Sequence, residues 1–402
     1  MLKTMLKQYS LAYRMKRLAR AILAVHLVFL TTGCWDRIEI NDLAIVLATA
    51  IDQEPNGLVR VSALIPLPGN ISSITGGGGG SGGSQSYYVD SEVGRTIREA
   101  TSKLQLRTER RFSFSHRRIL IVGEELAKES GIQSLFETLP RLHDTRLTTH
   151  MVIAKGKGYD LLNATPHFER FSSEVIRELS QSPESLHIEM KHIAAALKEE
   201  GVDPVIPYMA PKKTEKGLDK KEEVENLGIA LFQGDKMVGA AGPKEMFGIS
   251  WLHEKVANYV DTVEVESGQY VTYKITEGKS HIQPVIQDRH VLFKIDIRGY
   301  AMIQEKQSDF DMRDQQAFLD AEKAMNKQIQ ASVQTVIHRI QKQKIDPAAL
   351  GQKLWFAYPQ QWESSYQPNW RNELANTQFD VKVDVHFYNY GLIYDNIANG
   401  GD

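Results

Sequence analysis

One cysteine, Cys34, stands directly behind a basic stretch and a short apolar run, and that placement limits what the chain can become. Lys3, Lys7, Arg14, Lys16, Arg17 and Arg20 precede the run from Ala21 to Leu30, with no Asp or Glu in residues 1–33. A charged n-region, a short h-region and small residues at a cut are the marks of a signal peptide. The run is about half the ~20 apolar residues that a membrane-crossing helix needs. Met15 competes with Met1 as the true start, because Met15-Lys16-Arg17 opens a signal of ordinary length. Residues 1–33 are therefore expected to be removed, leaving Cys34 first in an exported chain. With one cysteine that chain forms no internal disulfide, so its fold must rest on buried apolar area.

Thr31-Thr32-Gly33-Cys34 resembles the lipobox of bacterial lipoprotein signals, with Thr31 where Leu is usual. The resemblance implies a diacylglyceryl and N-acyl lipid on Cys34 and an anchor on the outer face of a bacterial membrane. Each buried CH₂ contributes about 0.8 kcal/mol, so two or more acyl chains hold where one is marginal. The remaining chain needs such an anchor. Of 48 Lys and Arg, six lie in the leader, and the other 42 face 50 Asp and Glu, a net charge of −8. An acidic body lacks the clustered cations that nucleic acid requires. It is not drawn as a whole to anionic lipid either.

The length of 402 residues exceeds one core, so two or three domains are expected. Apolar β-branched runs at Leu43–Ile51, Leu58–Ile65, Ile119–Val122 and Leu147–Ala154 read as strands. Between and after them, Gly94–Leu106, Glu124–Ala127, Ile132–Leu139 and Phe168–Leu179 read as helices. This alternation points to an α/β or α+β domain over 34–200. Residues 201–223, with Pro204, Pro207, Pro211 and a run of lysines, read as a solvated linker. A second domain is expected over 224–395, with a possible split near residue 285. It opens with a hairpin about Gln233-Gly234-Asp235, and a helix follows over Lys244–His253. Strands at Thr262–Val265, Tyr270–Ile275, Val291–Arg298 and Gln378–Tyr388 come after it. The fold class expected is thus α+β: two to three mixed domains with mostly antiparallel or mixed sheets behind the signal peptide. From Asp311 to Gln341, Phe318, Ala321, Met325, Ile329, Val333, Val336, Ile337 and Ile340 recur at helical spacing, giving one long amphipathic helix. Its stripe suits packing against its own sheet or against a partner.

Few residues carry chemistry. Gly79-Gly80-Ser81-Gly82-Gly83 fits a nucleophile elbow in letters only, since it sits in a glycine tract with no strand or helix beside it. Gly278-Lys279-Ser280 ends like a phosphate loop, but Tyr273 stands where the earlier glycine belongs. No His/Cys spacing suits a metal, and the acid pairs Glu124-Glu125 and Glu199-Glu200 are sequence neighbours that diverge on a helix. No enzyme, cofactor or metal is expected. Arg110, Arg111, His116, Arg117, Arg118, Arg141 and Arg146 form either an anion site or a set of paired and solvated cations. Trp355, Tyr358, Trp362, Tyr366 and Trp370 cover a core edge or mark an interface.

Cys34-Trp35-Asp36-Arg37-Ile38-Glu39-Ile40-Asn41-Asp42-Leu43-Ala44-Ile45-Val46 resembles the mature start of the Ger(x)C family of spore germination lipoproteins. The resemblance continues through Ile51-Asp52, Arg110 to His116, Ile119 to Ala127, Leu227 to Phe232, Gly234 to Gly239, and Val381 to Tyr388 with Gly391. It therefore spans the mature chain. It implies a three-domain α+β body that acts as the lipid-anchored, non-enzymatic C subunit of a nutrient germinant receptor. It also implies two membrane-spanning partners, one transporter-like and one channel-like, at the cell membrane or spore inner membrane. A solute-binding lipoprotein of a transporter is the alternative, and it requires two similar lobes around a cleft; the two halves lack obvious mutual similarity.

Overall fold

The computed structural model describes residues 13–24, 39–67, 86–141, 145–182, 185–214, 222–265, 268–288, 290–307 and 314–389. Cys34 and the glycine tract lie outside them. The chain forms two compact units, Met1–Ala44 with Arg110–Phe112, and Ile45–Glu109 with Ser113–Asp402. The smaller unit holds an exposed helix at 13–24 and a 3-10 turn, Ile40–Asp42. Strands β1 (Leu43–Ile45) and β5 (Arg111–Ser113) pair as a two-stranded sheet. No helix among the described residues is long and apolar enough to cross a membrane.

The larger unit is built on two sheets. The first has eight strands in the order β10-β9-β8-β7-β6-β2-β3-β4. They are β2 (Ala48–Glu54), β3 (Leu58–Pro66), β4 (Tyr87–Gly94), β6 (Ile119–Gly123), β7 (His150–Ala154), β8 (Val205–Lys213), β9 (Glu222–Gln233) and β10 (Lys236–Ala241). The central pairs β2–β6, β6–β7 and β7–β8 are parallel, and the flanking pairs are antiparallel. Every residue of β6 and β7 is buried, as expected of parallel strands covered on both faces. Alternation decides the layers. Ile51, Leu120, Val122, Met151 and Ile153 meet α2 (Glu124–Glu129), α3 (Gln133–Thr138) and α6 (Met190–Lys198). Ala50, Ile119, Ile121 and Val152 turn the other way, to α4 (Gly158–Leu162) and α5 (Ser172–Gln181). Helix α1 (Ile97–Gln105), capped by Thr96 Oγ1 on Glu99 N, lies against β3 and β4.

The second sheet comprises β11 (Lys255–Val256), β12 (Tyr259–Glu264), β13 (Tyr270–Gln287), β14 (His290–Lys306) and β15 (Gln378–Asn389). β13 and β14 form one long hairpin, and β15 joins β14 in parallel. One face is apolar and covered by α7 (Pro243–Leu252), α8 (Gln315–Gln343), α9 (Leu350–Ala357) and α10 (Trp370–Asn376). The other face carries charged rows across three strands, such as Lys279–Arg298–Asp384 and His281–Asp296–Lys382. This is the one-sided alternation that lets a sheet face water.

Helix α8 packs against its own sheet. Ala321, Met325, Ile329, Val333, Val336, Ile337 and Ile340 are buried along it. Each of the Met, Ile and Val side chains contributes roughly 1.5–3 kcal/mol when fully buried. Polar residues beside the stripe finish the sheet edges. Asn326 donates from Nδ2 to Val385 O (2.9 Å) and accepts from Val385 N (2.9 Å). Gln330 donates to Val381 O (3.0 Å), Glu322 accepts from Phe387 N (3.0 Å), and Gln328 reaches Thr262 O on β12 (3.3 Å). Backbone groups that would otherwise offer a template to another strand are thus occupied.

Within residues 201–223, expected as a linker, Val205–Lys213 is instead strand β8, paired with β9 at Val205↔Leu231 to Lys213↔Glu222. Its prolines misled because β8 pairs with β7 only over Tyr208 and Met209, so few ladder bonds are lost. Strands β9 and β10, which fall almost entirely within the domain expected from 224, complete the first sheet. A split near 285 would cut β13 inside its hairpin, where Val285 faces Leu292.

Replacing Asn326 with Leu should strand Val385 N–H and C=O and cost about 1–3 kcal/mol of stability in urea unfolding. A cost below ~0.5 kcal/mol, typical of an inert surface change, would show that the edge bonds contribute nothing.

Candidate functional site: the joint between the sheets

The two sheets meet where α8 ends. Lys344 and Ala349 both take left-handed backbone angles (φ 53°), folding the chain back on itself around Asp346-Pro347. Asp203, just ahead of β8, meets this turn with its whole backbone and side chain. Its N–H donates to Asp346 O (2.8 Å), and its Oδ2 accepts from Asp346 N (2.6 Å). Oδ1 accepts from Gly234 N in the β9–β10 turn (2.7 Å). Arg371 of α10 grips the same carboxylate with Nη1 on Oδ2 (2.9 Å) and Nη2 on Oδ1 (2.8 Å), and also bonds Lys344 O (2.9 Å).

Asp346 completes the joint from the other side. Its carboxylate accepts from Leu350 N and Gly351 N (2.8 Å each), which caps α9, and from Trp370 Nε1 (2.9 Å). Burial outweighs these bonds and pushes its pKa up to about 6. Gln233 Nε2 donates to Gln343 O (3.1 Å), and His253 Nε2 donates to Pro347 O (2.8 Å). Burial also lowers the pKa of His253, which favours the neutral ring. Glycine is required where the backbones touch: a Cβ on Gly351 would lie 2.5 Å from Gly201 Cα and 2.8 Å from the Trp362 ring. A 450 Å³ crevice opens beside the joint, lined by Glu199, Glu200, Pro368, Trp370 and Arg371 among others. Each carboxylate oxygen of Asp203 and Asp346 accepts at least one hydrogen bond, which ties the two sheets' elements together at the joint.

A second crevice of 310 Å³ lies at the carboxyl ends of β2, β6 and β7, where open α/β sheets commonly take ligands. The protein fills the key position itself. Asp52, 1% exposed, accepts from Gly158 N (2.6 Å) and Tyr159 N (2.9 Å) at the start of α4. Its pKa is raised, chiefly by burial. Glu124, Glu125 and Glu129 line the rest with Lys128 and Lys157, so an incoming anion meets carboxylates.

The basic residues singled out from sequence do not assemble. His116 and Arg118 are exposed, and Arg118 sits 3.6 Å from Glu174. Arg111, Arg141 and Arg146 are exposed as well. Arg117 alone is buried, at 2% exposure, with Nη2 3.4 Å from Thr145 Oγ1 and the guanidinium over the Phe114 ring. Desolvation lowers its pKa to about 10. The aromatic run divides: Trp362, Tyr366 and Trp370 are buried, while Trp355 stays exposed and stacks on exposed Phe356 (5.4 Å). Gly278-Lys279-Ser280 is an interior segment of β13. Among the described residues no group of His, Cys, Asp and Glu could hold a metal. Sequence reading missed the joint, since Asp203 and Arg371 lie 168 positions apart. Asp346-Pro347 signalled only a helix stop.

Two unlike α+β lobes are fused through a buried polar joint. Residues 36–211 match the family described as spore germination protein N-terminal domain, and residues 227–391 match the spore germination B3/GerAC-like C-terminal family. The chain belongs to this family of spore germination proteins. It is 31% identical to the putative spore germination protein YfkR of Bacillus subtilis, over 96% of this chain and 100% of that one. Spore germination protein KC of the same organism is 26% identical, over 92% and 95%. The crystal structure of the GerBC protein has the same fold, with a TM-score of 0.56 at 17% identity over 85% of this chain and 96% of that one.

Asp346 yields a pH test. Its pKa in the folded protein lies above the ordinary carboxyl value of 3.8, so the folded state binds the proton more tightly. Its contribution is full below pH ~4 and is lost as pH rises through about 6. Asp346→Asn should flatten the fall in stability across that window. It should also cost roughly 1–3 kcal/mol, because an amide cannot accept at both oxygen positions. An unchanged slope in pH-dependent melting would contradict this assignment.

Proposed function

We propose that the protein is a non-enzymatic, lipid-anchored subunit of a spore germinant receptor. The likeness to a spore germination protein over 96% of this chain and 100% of that one carries this reading. Cys34, directly behind its apolar run, supplies the anchor, with diacylglyceryl and N-acyl chains attached there. The protein stands on the outer face of the cell membrane or the spore inner membrane. There the tether raises its effective concentration beside membrane-spanning receptor subunits, one transporter-like and one channel-like. A fused two-sheet body with its sheet edges occupied suits a scaffold that positions those subunits.

The alternative, a solute-binding lipoprotein, calls for two like lobes around a cleft. Here one lobe is built on an eight-stranded mixed sheet covered on both faces and the other on a five-stranded sheet covered on one. The crevice at the strand ends is lined by the chain's own carboxylates. Both features favour the scaffold.

Cys34→Ser should move the protein from the membrane to the soluble fraction and impair nutrient-triggered germination. Recovery of the native protein from spore membranes should bring the receptor's membrane-spanning subunits with it. Unchanged membrane retention of the variant would rule out the anchor, and a recovery without those subunits would rule out the receptor role.

A further inference from the structure

We infer that the outer face of α1 rests against anionic phospholipid headgroups and so fixes how the anchored body stands on the membrane; the inference depends on Cys34 being the lipid anchor. The mature chain is acidic, yet its charge is unevenly spread. Between Arg95 and Arg118 there are eight Lys and Arg against only Glu99 and Glu109. Helix geometry sorts them. Ala100 and Leu104 of α1 are buried, while Arg95, Arg98, Ser102 and Leu106 follow at three- and four-residue steps and are all exposed.

Leu106 is 87% exposed, a bare aliphatic side chain one residue beyond the helix. Arg98 has no acidic partner among the described residues. Glu99 is already matched by Arg95 (3.1 Å) and Lys103 (3.2 Å), so it leaves no free negative charge on that face. Lys103 donates to Val93 O (3.0 Å) at the β4 edge, and Arg107 donates to Ser91 O (2.9 Å) there while pairing with Asp90 (2.8 Å) and Glu92 (3.3 Å). The outward stripe thus carries Arg95 and Arg98 at its start and the bare Leu106 at its end. An apolar side chain enters the headgroup boundary, and cations beside it are attracted by anionic lipid.

β1 begins nine residues beyond Cys34. Nine extended residues reach at most ~30 Å. β1 pairs with β5, and β5 begins six residues after α1 ends. Because the acyl chains already hold the protein at the surface, a contact too weak to recruit it can still orient it.

The test uses full-length lipidated protein carrying Leu106→Cys with a polarity-sensitive dye. Acylation consumes Cys34, so the label is unique. In vesicles of phosphatidylglycerol and phosphatidylcholine the dye should shift to the blue and be quenched by spin-labelled lipid. Both signals should fade at ~1 M salt, where the Debye length is about 3 Å. They should also fade in an Arg95→Glu, Arg98→Glu variant whose melting temperature confirms folding. Retained protein with the same emission in phosphatidylcholine alone overturns this inference only. Release of the protein overturns the anchor and the inference together. A shift that appears only when the receptor's other subunits are added assigns the face to a protein and overturns the lipid contact.

Discussion

The carboxylate of Asp203 is the contact on which the arrangement of the larger unit depends. It joins a strand start, a hairpin turn, the turn after α8 and the guanidinium of α10, all through bonds of 2.6–2.9 Å. Its side chain is 1% exposed, so it has no water to fall back on. Arg371 keeps 43% of its side chain exposed, so water can compensate its charge, and the cost of removing Asp203 lies mainly in the backbone N–H groups of Asp346 and Gly234 left without an acceptor. Asp346 repeats the arrangement one layer deeper, tying the start of α9 to Trp370. The Gly201–Gly351 contact then lets the two backbones close to a distance that no side chain permits.

Around this joint the sheets solve the same problem differently. The first is covered on both faces, so its central parallel strands β6 and β7 are buried at every residue. The second curls its apolar face onto α8 and gives its charged rows to water. In each case the exposed strand edges are met by long polar side chains: Asn326 and Gln330 at β15, Gln328 at β12, Lys103 and Arg107 at β4, and Arg339 at Ala240 O of β10. A scaffold that works at high local concentration beside other proteins gains from edges that do not recruit strands.

Much of this is legible in the amino-acid order. The stripe from Ala321 to Ile340 and the alternation from Phe379 to Phe387 each encode one element and one buried face. The Gln233-Gly234-Asp235 turn encodes a hairpin. Local pattern fails where the physics is long-range. Val205 to Met209 carries Pro207 and is flanked by Pro204 and Pro211, so it reads as part of a linker, yet it is a buried strand because β9 and β7 accept it. Leu43 to Ile51 reads as one strand but splits into β1 and β2, which pair with different neighbours. The joint was invisible for the same reason: Asp203 and Arg371 look like ordinary surface charges until the fold brings them together. Cys34 is the opposite case, read from its neighbours in sequence alone.

One polar joint makes the two sheets a single cooperative body. Scanning calorimetry of the chain with and without Asp203→Ala measures this directly. The native chain should unfold in one transition with equal calorimetric and van't Hoff enthalpies, and the variant should separate into two. Two transitions in the native chain, or one undisturbed transition in the variant, would contradict the account.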